Sequence, residues 1–294
     1  MRRLYPAIAL LIALAAAAGA WQALHGRSRP DKAAVSPPAA KASAHRADIA
    51  EAATNAPIEK RLAPVPAVPA AYRGKILRQR VRHFPDKLLA LTFDDGPSPT
   101  VTPRVLKTLR EHHAHATFFV LGNCAKRWPA LVRQAAREGH AIGSHSYSHP
   151  SKLSPAQACS QLERTAALIE AATGQRPRLF RPPYGITKGN LCQTALQQGY
   201  TAVLWTISSA DSRPIGHQVI AHNVIHTPNP GDIVLMHDAE NHAATAEALP
   251  QILTELAAAG FRFVTIPELL QAWEQWRAQH KVVADAQGTP HHRP

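Results

Sequence analysis

Two histidines and two adjacent aspartates have the residue types and spacing of a metal-dependent hydrolytic site. His145 and His149 are four residues apart, so on a helical turn both imidazoles would lie on one side and could bind one metal ion. Taken alone, this spacing is a weak signal and more often indicates two surface histidines. Asp94 and Asp95 follow a short apolar segment, and adjacent side chains on an extended backbone point in different directions. One aspartate could therefore bind the metal while the other stays free.

Two imidazoles and one carboxylate leave coordination positions open for water and substrate, which is typical of catalytic metal sites rather than structural ones. A metal in such a site makes water more acidic, and the free aspartate could accept the proton. Asp94-Asp95-Gly96-Pro97 by itself is also typical of a tight turn. The combination of both motifs favours hydrolysis.

Three further residues could complete the catalysis of amide hydrolysis. His237 ends an apolar segment and could protonate the leaving nitrogen, with Asp211 raising its pKa. Arg181 could orient the free aspartate and keep it ionised. The structural alternatives are a core histidine with a satisfied hydrogen bond and an ordinary ion pair.

The segments that carry these residues alternate between strand and helix patterns about seven times. This order predicts parallel strands joined by crossover helices, in a β/α barrel or a doubly wound sheet. In both folds the functional groups collect at the carboxyl ends of the strands, where the polar residues above occur. The predicted strands are 88–93, 116–120, 140–143, 178–180, 201–205, 233–236 and 262–264. The predicted helices are 102–111, 129–138, 154–172, 188–198, 215–225, 244–258 and 266–275.

Four motifs, in this order, resemble those of the NodB-homology polysaccharide deacetylases, carbohydrate esterase family four. They are Thr92-Phe93-Asp94-Asp95-Gly96-Pro97, His145-Ser146-Tyr147-Ser148-His149, Arg181-Pro182-Pro183-Tyr184 and Leu235-Met236-His237-Asp238. Thr265-Ile266-Pro267 is similar to the family as well. The resemblance covers about residues 86–272. It implies a deformed β/α barrel of about seven β/α units that catalyses deacetylation with a divalent metal, zinc (Zn²⁺) in this family.

The resemblance also implies a role for each matching residue. Asp94 would be the base, and the metal ligands would be Asp95, His145 and His149. These assignments leave one carboxylate free beside the metal, as the spacing suggests.

The remaining roles concern proton transfer and substrate binding. By the same resemblance, Arg181 would hold the base, and His237, tuned by Asp211, would be the acid. The backbone N–H of Tyr184 would help to stabilise the oxyanion. The residues implied to bind substrate or border the acetyl pocket are Pro183, Tyr184, Trp205 and Leu235.

One family motif is altered between Arg181 and Leu235. Asp211 is kept, but Ser208 stands where an Asp is common and Ser212 where a Trp is common. Loss of this Trp would remove an aromatic wall from the substrate groove, which affects substrate identity and turnover more than the metal site. A carbohydrate-binding relative with weak or no catalysis is therefore a second hypothesis.

The first 24 residues have the pattern of an export signal. Met1-Arg2-Arg3 precede an uncharged run, Leu4–Leu24, that contains a possible cleavage site at Ala18-Gly19-Ala20. The run is also long enough to span a bilayer, so residues 1–24 are either a signal cut near Ala20 or an anchor formed by residues 4–24. We therefore expect an exported protein, in the periplasm or cell envelope.

The predicted organisation continues with a basic linker rich in Ala and Pro at 25–85, the catalytic domain at 86–272 and a C-terminal tail at 273–294. The three cysteines, Cys124, Cys159 and Cys192, are too few for a disulfide framework, and no pair among them is indicated.

The positive charge of the chain lies mainly ahead of the predicted catalytic domain. The first 85 residues contain 14 Lys and Arg against 4 Asp and Glu, out of 33 and 20 in the whole chain. A basic adaptor for nucleic acid is a third hypothesis, but no aromatic interleaving or nucleic-acid motif accompanies the charge. The expected partner is a polysaccharide, first peptidoglycan and then a chitin-type oligomer or exopolysaccharide, with membrane contact through the N-terminal segment. No nucleic-acid partner is expected, and no oligomeric state is predicted.

Overall fold

The structure is a computed structural model that describes residues 65–78 and 80–286, the last six by their backbone alone. The predicted signal or anchor and most of the predicted linker lie outside the described residues, as do residues 287–294. None of the described helices is both long and apolar enough to cross a bilayer.

The described residues form one parallel sheet. Its strands are β1 (Ile76–Leu77), β2 (Leu88–Asp94), β3 (Ala116–Val120), β4 (Ala141–Ser144), β5 (Leu179–Phe180), β6 (Thr201–Val203), β7 (Ile207–Ser208), β8 (Asp232–His237) and β9 (Arg262–Phe263). Their order is β1-β6-β5-β4-β3-β2-β8-β7, and β9 also pairs with β2. Every residue of β2 and β3 is buried. Their continuous apolar sequences are explained by this burial on both faces.

Helices connect the strands, as the alternating pattern predicts. They are α1 (Thr102–Glu111), α2 (Gly122–Arg127), α3 (Pro129–Arg137), α4 (Pro155–Thr173), α5 (Asn190–Gln197), α6 (His217–Ile225), α7 (Ala243–Ala258) and α8 (Ile266–Ala286). Two short 3₁₀ helices, Ala70–Tyr72 and Pro183–Gly185, lie outside this set. α4 begins with a reciprocal capping box formed by Ser154 and Gln157.

The sheet curls into an incompletely closed barrel. β6 and β7 lie near opposite ends of the strand order, yet only residues 204–206 connect them. Three connecting residues can span at most roughly 14 Å, so the two ends of the sheet must approach each other. The connection is held to β8, since the Thr206 N–H donates to the Ile233 carbonyl at 2.9 Å. The structure therefore has the curled parallel α/β architecture expected of a deformed β/α barrel.

The core extends past both predicted ends of the catalytic domain. Val68, Tyr72 and Phe84 are buried in the same cluster as Trp273, which is only 1% exposed. β1 also pairs with β6, with Ile76 opposite Ala202. The linker prediction is therefore wrong from residue 65 onward, because prolines that prevent a helix are compatible with an extended segment that packs on the core. The boundary at 272 is wrong because α8 continues through it to Ala286.

Several element boundaries also differ from the predicted ones. The strand predicted to end at Trp205 ends at Val203, and α5 is two residues shorter at its N-terminus than predicted. β1, β7 and α2 were not predicted, because elements of two to six residues carry too little periodicity to be recognised. The three cysteines are free thiols within the described residues.

We expect a chain that begins at residue 86 to be much less stable than one that begins at residue 65. The shorter chain lacks five buried apolar side chains, which are Val68, Tyr72, Leu77, Val81 and Phe84. Burial of each contributes about 1.5–3 kcal/mol, so the free energy of unfolding should fall by roughly 5 kcal/mol or more. Urea unfolding followed by circular dichroism measures the difference. The control is Lys75→Gln, an exposed change in the same segment, and equal midpoints for both chain lengths would contradict the prediction.

Candidate active site

The carboxyl end of β2 positions both aspartates. Asp94 is the last residue of the strand, where it lies opposite Phe119 of β3 and His237 of β8. Asp95 has a positive φ of 71°, in the left-handed region. The chain therefore turns sharply between the two aspartates, and this turn separates their side chains.

Asp95, His145 and His149 form a cluster that fits a metal ion. The Asp95 Oδ1 atom lies 3.5 Å from His145 Nε2 and 3.7 Å from His149 Nε2. One ligand atom from each residue lies within 4.8 Å of the others. Asp95 Oδ1 is buried and has no hydrogen-bond partner among the described residues, so a cation would satisfy it. A carboxylate with two imidazoles is a donor set suited to a divalent metal.

His145 is held as a neutral ligand. Its Nδ1 lies 2.7 Å from the Arg181 carbonyl oxygen, to which it can donate a hydrogen bond, and this leaves Nε2 free. Burial lowers the pKa of His145 to about 3, so the imidazole is uncharged at neutral pH. An uncharged imidazole is the form that binds metals.

The two histidines do not lie on a helical turn, so that part of the prediction is wrong. They lie in a loop after β4 in which Ser146 and His149 have positive φ values of 70° and 58°. The loop is held by Gln161 of α4, whose Oε1 accepts hydrogen bonds from the Tyr147 N–H (2.7 Å) and the Ser148 N–H (3.0 Å). Sequence reasoning missed Gln161, because a helix glutamine carries no local sign of a distant loop contact.

Arg181 holds Asp94 at the bottom of the site. The guanidinium is fully buried and donates from one nitrogen to Asp94 Oδ1 (2.9 Å) and Thr92 Oγ1 (2.7 Å). Its Nε donates to the Val203 carbonyl at 3.0 Å, and its Cζ lies 4.3 Å from the centre of the Phe119 ring. Thr92 belongs to the first motif, but nothing in the sequence indicates its contact with Arg181.

Burial raises the pKa of Asp94, and the charges of Arg181 and His237 counteract only part of this effect. The pKa of Asp94 therefore lies above its ordinary value, which makes its carboxylate a stronger base than an exposed aspartate. Arg181 keeps this buried carboxylate paired, and the resulting basicity suits proton abstraction.

His237 and Asp211 form a second buried, hydrogen-bonded pair. His237 Nδ1 lies 2.8 Å from Asp211 Oδ1, and the His237 backbone N–H donates to Asp211 Oδ2 at the same distance. Thr245 of α7 donates to Asp211 Oδ2 at 2.7 Å. Burial lowers the pKa of His237, but the hydrogen bond and charge of Asp211 outweigh it and raise the pKa to about 9. His237 is therefore protonated at neutral pH and can act as an acid.

A second histidine packs on this pair. The His242 ring stacks on the His237 ring with centroids 4.9 Å apart and planes 20° apart. His242 is 9% exposed, and burial lowers its pKa, so a neutral ring covers the charged one. Thr245 and His242 were not predicted, since both belong to the segment after the recognised motif.

Asp238 supports the turn that carries Asp95. Its backbone N–H donates to the Asp94 carbonyl (3.1 Å), and its Oδ2 accepts from Thr102 Oγ1 (2.5 Å). A Cβ added at Gly96 would lie only 2.2 Å from Asp238 Oδ1, so this turn needs a glycine on steric grounds. Burial raises the pKa of Asp238 to about 7.

The residues predicted to bind substrate lie around the cluster with different exposures. Tyr184 is 65% exposed, has a positive φ of 57°, and its ring lies 4.3 Å from the His149 ring. Pro183 and Leu235 are buried. Trp205 is half-buried beside the Arg181 guanidinium, whose Cζ lies 5.8 Å from the indole ring. Their roles toward substrate stay predictions.

Ser208 and Ser212, the altered positions, are both exposed. Ser208 Oγ accepts a hydrogen bond from the Ala210 N–H at 3.2 Å, so it serves the local turn before Asp211.

The fold and the site together define a hydrolase in which a buried carboxylate and a protonated imidazole lie beside a cluster suited to a divalent metal. Residues 82–203 match the family described as polysaccharide deacetylase. A peptidoglycan-N-acetylglucosamine deacetylase from Bacillus cereus is 36% identical over 187 residues, which cover 62% of this chain and 68% of that protein. The chain belongs to the polysaccharide deacetylase family, the NodB-homology hydrolases that act on N-acetyl amides.

Other relatives agree with this membership. The peptidoglycan-N-acetylglucosamine deacetylase PgdA of Listeria monocytogenes is 41% identical over 186 residues, 63% of this chain, but the match spans only 39% of PgdA. The crystal structure of the Bc1960 peptidoglycan N-acetylglucosamine deacetylase superposes with a TM-score of 0.63 at 32% identity, covering 68% of this chain and 94% of that one.

We expect Asp211→Asn to lower the pKa of His237 from about 9 toward its ordinary value of about 6.5, because burial is then opposed only by the weaker effects of the Asp94 and Asp95 charges. An NMR titration of the His237 imidazole measures the change. The control is Thr245→Val, which removes one hydrogen bond to Asp211 but keeps its charge, so the pKa should stay near 9. An unchanged pKa in Asp211→Asn would show that another group sets it.

The same pair should make stability depend on pH. Because folding raises the pKa of His237, the pair stabilises the fold fully below the unfolded-state pKa of about 6.5. This contribution is lost as the pH rises through about 9. Urea midpoints measured across this window should therefore fall more in the parent than in Asp211→Asn, and equal slopes would contradict the prediction.

Proposed function

We propose that this protein is an exported, metal-dependent deacetylase that hydrolyses N-acetyl groups of a polysaccharide containing N-acetylglucosamine. Peptidoglycan is the first candidate substrate, and a chitin-type oligomer or an exopolysaccharide is next. One observation carries the proposal: Asp94 and His237 lie opposite each other on the paired strands β2 and β8, beside the Asp95, His145 and His149 cluster. A base and an acid are both needed for amide hydrolysis, and this register supplies one of each.

The residues that would hold the metal are Asp95, His145 and His149, and Zn²⁺ is the candidate. When bound there, the cation supplies a Lewis acid that makes an attacking water more acidic and polarises the acetyl carbonyl. Support comes from the unpartnered Asp95 Oδ1 and from the free Nε2 of His145.

The protein's own groups move the protons. Asp94, fixed by Arg181, accepts a proton from a water molecule while the oxygen of that water attacks the acetyl carbon. Protonated His237 donates its proton to the amide nitrogen, so the C–N bond breaks and leaves acetate and a free amine. The backbone N–H of Tyr184, beside His149, is suited to donate to the carbonyl oxygen as negative charge develops there.

A carbohydrate-binding relative with weak or no catalysis is the second candidate. The altered stretch favours it, since Ser208 stands where an Asp is common and Ser212 where a Trp that would form an aromatic wall of the groove is common in this family. The opposed base and acid favour the enzyme, because glycan binding alone needs neither.

The location in the cell envelope rests on residues 1–24, through a cleaved signal or a retained anchor. A polymer of the envelope would then be within reach of the catalytic domain. A membrane contact would involve only this N-terminal segment.

We expect the protein to release acetate from N-acetylglucosamine polymers. This activity should be lost when a chelator removes the metal and should return when Zn²⁺ is added. Asp94→Asn should lower kcat by roughly 10²–10⁴-fold while metal binding is retained, because only the base is lost. His149→Ala should instead weaken metal binding, measured by calorimetry. Asp86→Asn, an exposed change elsewhere, is the matched control.

If no glycan yields acetate in the presence of metal, the enzyme proposal is wrong. Glycan binding that survives Asp94→Asn in a parent without turnover would favour the binding relative instead.

A further inference from the structure

A basic cleft of about 360 Å³ lies beside the proposed active site. Its walls come from residues 150–153 and from residues 182, 183, 186 and 188–191. The first wall begins directly after His149, and the second begins directly after Arg181. The cleft therefore adjoins the loops that carry a proposed metal ligand and the residue that holds the base. Its volume lies within the range of small-molecule sites.

Two lysines give the cleft its charge. Lys152 and Lys188 are exposed, and they are the charged residues of the lining, which contains no acidic residue. Neither lysine forms an ion pair within the part of the chain that the structure describes. Arg78 adds a third positive charge nearby, because it donates to Thr187 Oγ1 at 2.7 Å. Unpaired positive charges in a concave surface attract anions.

The remaining lining is largely apolar, with Ser151 and Asn190 as its polar members. Pro150, Leu153, Ile186 and Leu191 contribute hydrocarbon surface, against which a sugar ring can pack. The two walls are joined by the Asn190 side chain, whose Nδ2 donates to the Leu153 carbonyl at 2.9 Å. A cleft with an apolar lining and cations at its edge suits a sugar that also carries a negative charge.

We propose that this cleft is a subsite for a carboxylate-bearing sugar next to the N-acetyl sugar that is hydrolysed. This inference rests on the proposed function, because it assumes that the acetyl group reacts between Asp94 and His237. Lys152 and Lys188 would bind the carboxylate, and the subsite would make the protein prefer acidic polymers over neutral ones. In peptidoglycan such a carboxylate is carried by the lactyl ether of muramic acid or by the attached peptide.

The test compares three glycans: neutral chitin oligomers, glycan strands freed of peptides, and strands that keep them. The double variant Lys152→Gln/Lys188→Gln should lower the ratio of kcat/KM for acidic to neutral glycan by roughly tenfold at low salt, about threefold for each lysine. The loss should appear mainly in KM, and high salt should reduce the preference of the parent in the same direction. Lys107→Gln, an exposed lysine of α1, is the matched control and should leave the ratio unchanged.

Binding provides a readout that does not depend on turnover. In the presence of a chelator, the double variant should bind peptide-free strands roughly tenfold more weakly than the parent does. A loss seen with peptide-free strands assigns the carboxylate to the lactyl group, whereas a loss confined to peptide-bearing strands assigns it to the peptide.

The subsite proposal is wrong if the double variant keeps both its kcat/KM ratio and its binding affinity within about twofold of the parent's for every acidic glycan. That result leaves acetate release from neutral oligomers intact, so it is distinct from failure of the proposed function. The opposite result is also possible: the parent releases no acetate, but the double variant binds acidic glycans more weakly than the parent does. That result would support the subsite and contradict the deacetylase proposal.

Discussion

The buried guanidinium of Arg181 is the interaction on which the rest of the site depends. Its side chain binds Asp94, Thr92 and the Val203 carbonyl, and its own carbonyl accepts from His145. One residue therefore links the proposed base to a proposed metal ligand across β2, β4, β5 and β6. Loss of one partner from a buried ion pair typically costs about 3–5 kcal/mol. Arg181 thus couples the stability of the barrel to the geometry of its active site.

The two proposed proton-transfer groups, Asp94 and His237, differ in pKa because their surroundings differ. Burial opposed by a guanidinium leaves Asp94 with a pKa above its ordinary value, so it can accept a proton. A buried carboxylate beside His237 raises the pKa of that imidazole to about 9, so it can give one up. Because β2 and β8 pair with Asp94 opposite His237, the group that can accept a proton and the group that can donate one lie on neighbouring strands.

The parallel fold and the clustering of the chemical residues could be predicted from sequence, because strand periodicity and strand-end polarity are local signals. The loop conformation of His145 and His149 could not, since it depends on Gln161 from a helix that follows in the chain. His242 and Thr245 were missed because their contacts with His237 and Asp211 depend on the fold of the loop between β8 and α7. The segment from residue 65 was wrongly predicted to be a linker because it is rich in proline. Its short strand, β1, is recognisable only from its pairing with β6.

The close approach of Gly96 to Asp238 links two positions that are distant in sequence. The obstacle at Gly96 is the Asp238 carboxylate and not the backbone conformation, because Gly96 has no positive φ. A larger residue at position 96 thus becomes acceptable only after position 238 has become smaller. In this chain, the change at position 238 would therefore have to come before the change at position 96. The turn that presents the aspartates is therefore expected to change by paired steps or to stay constant.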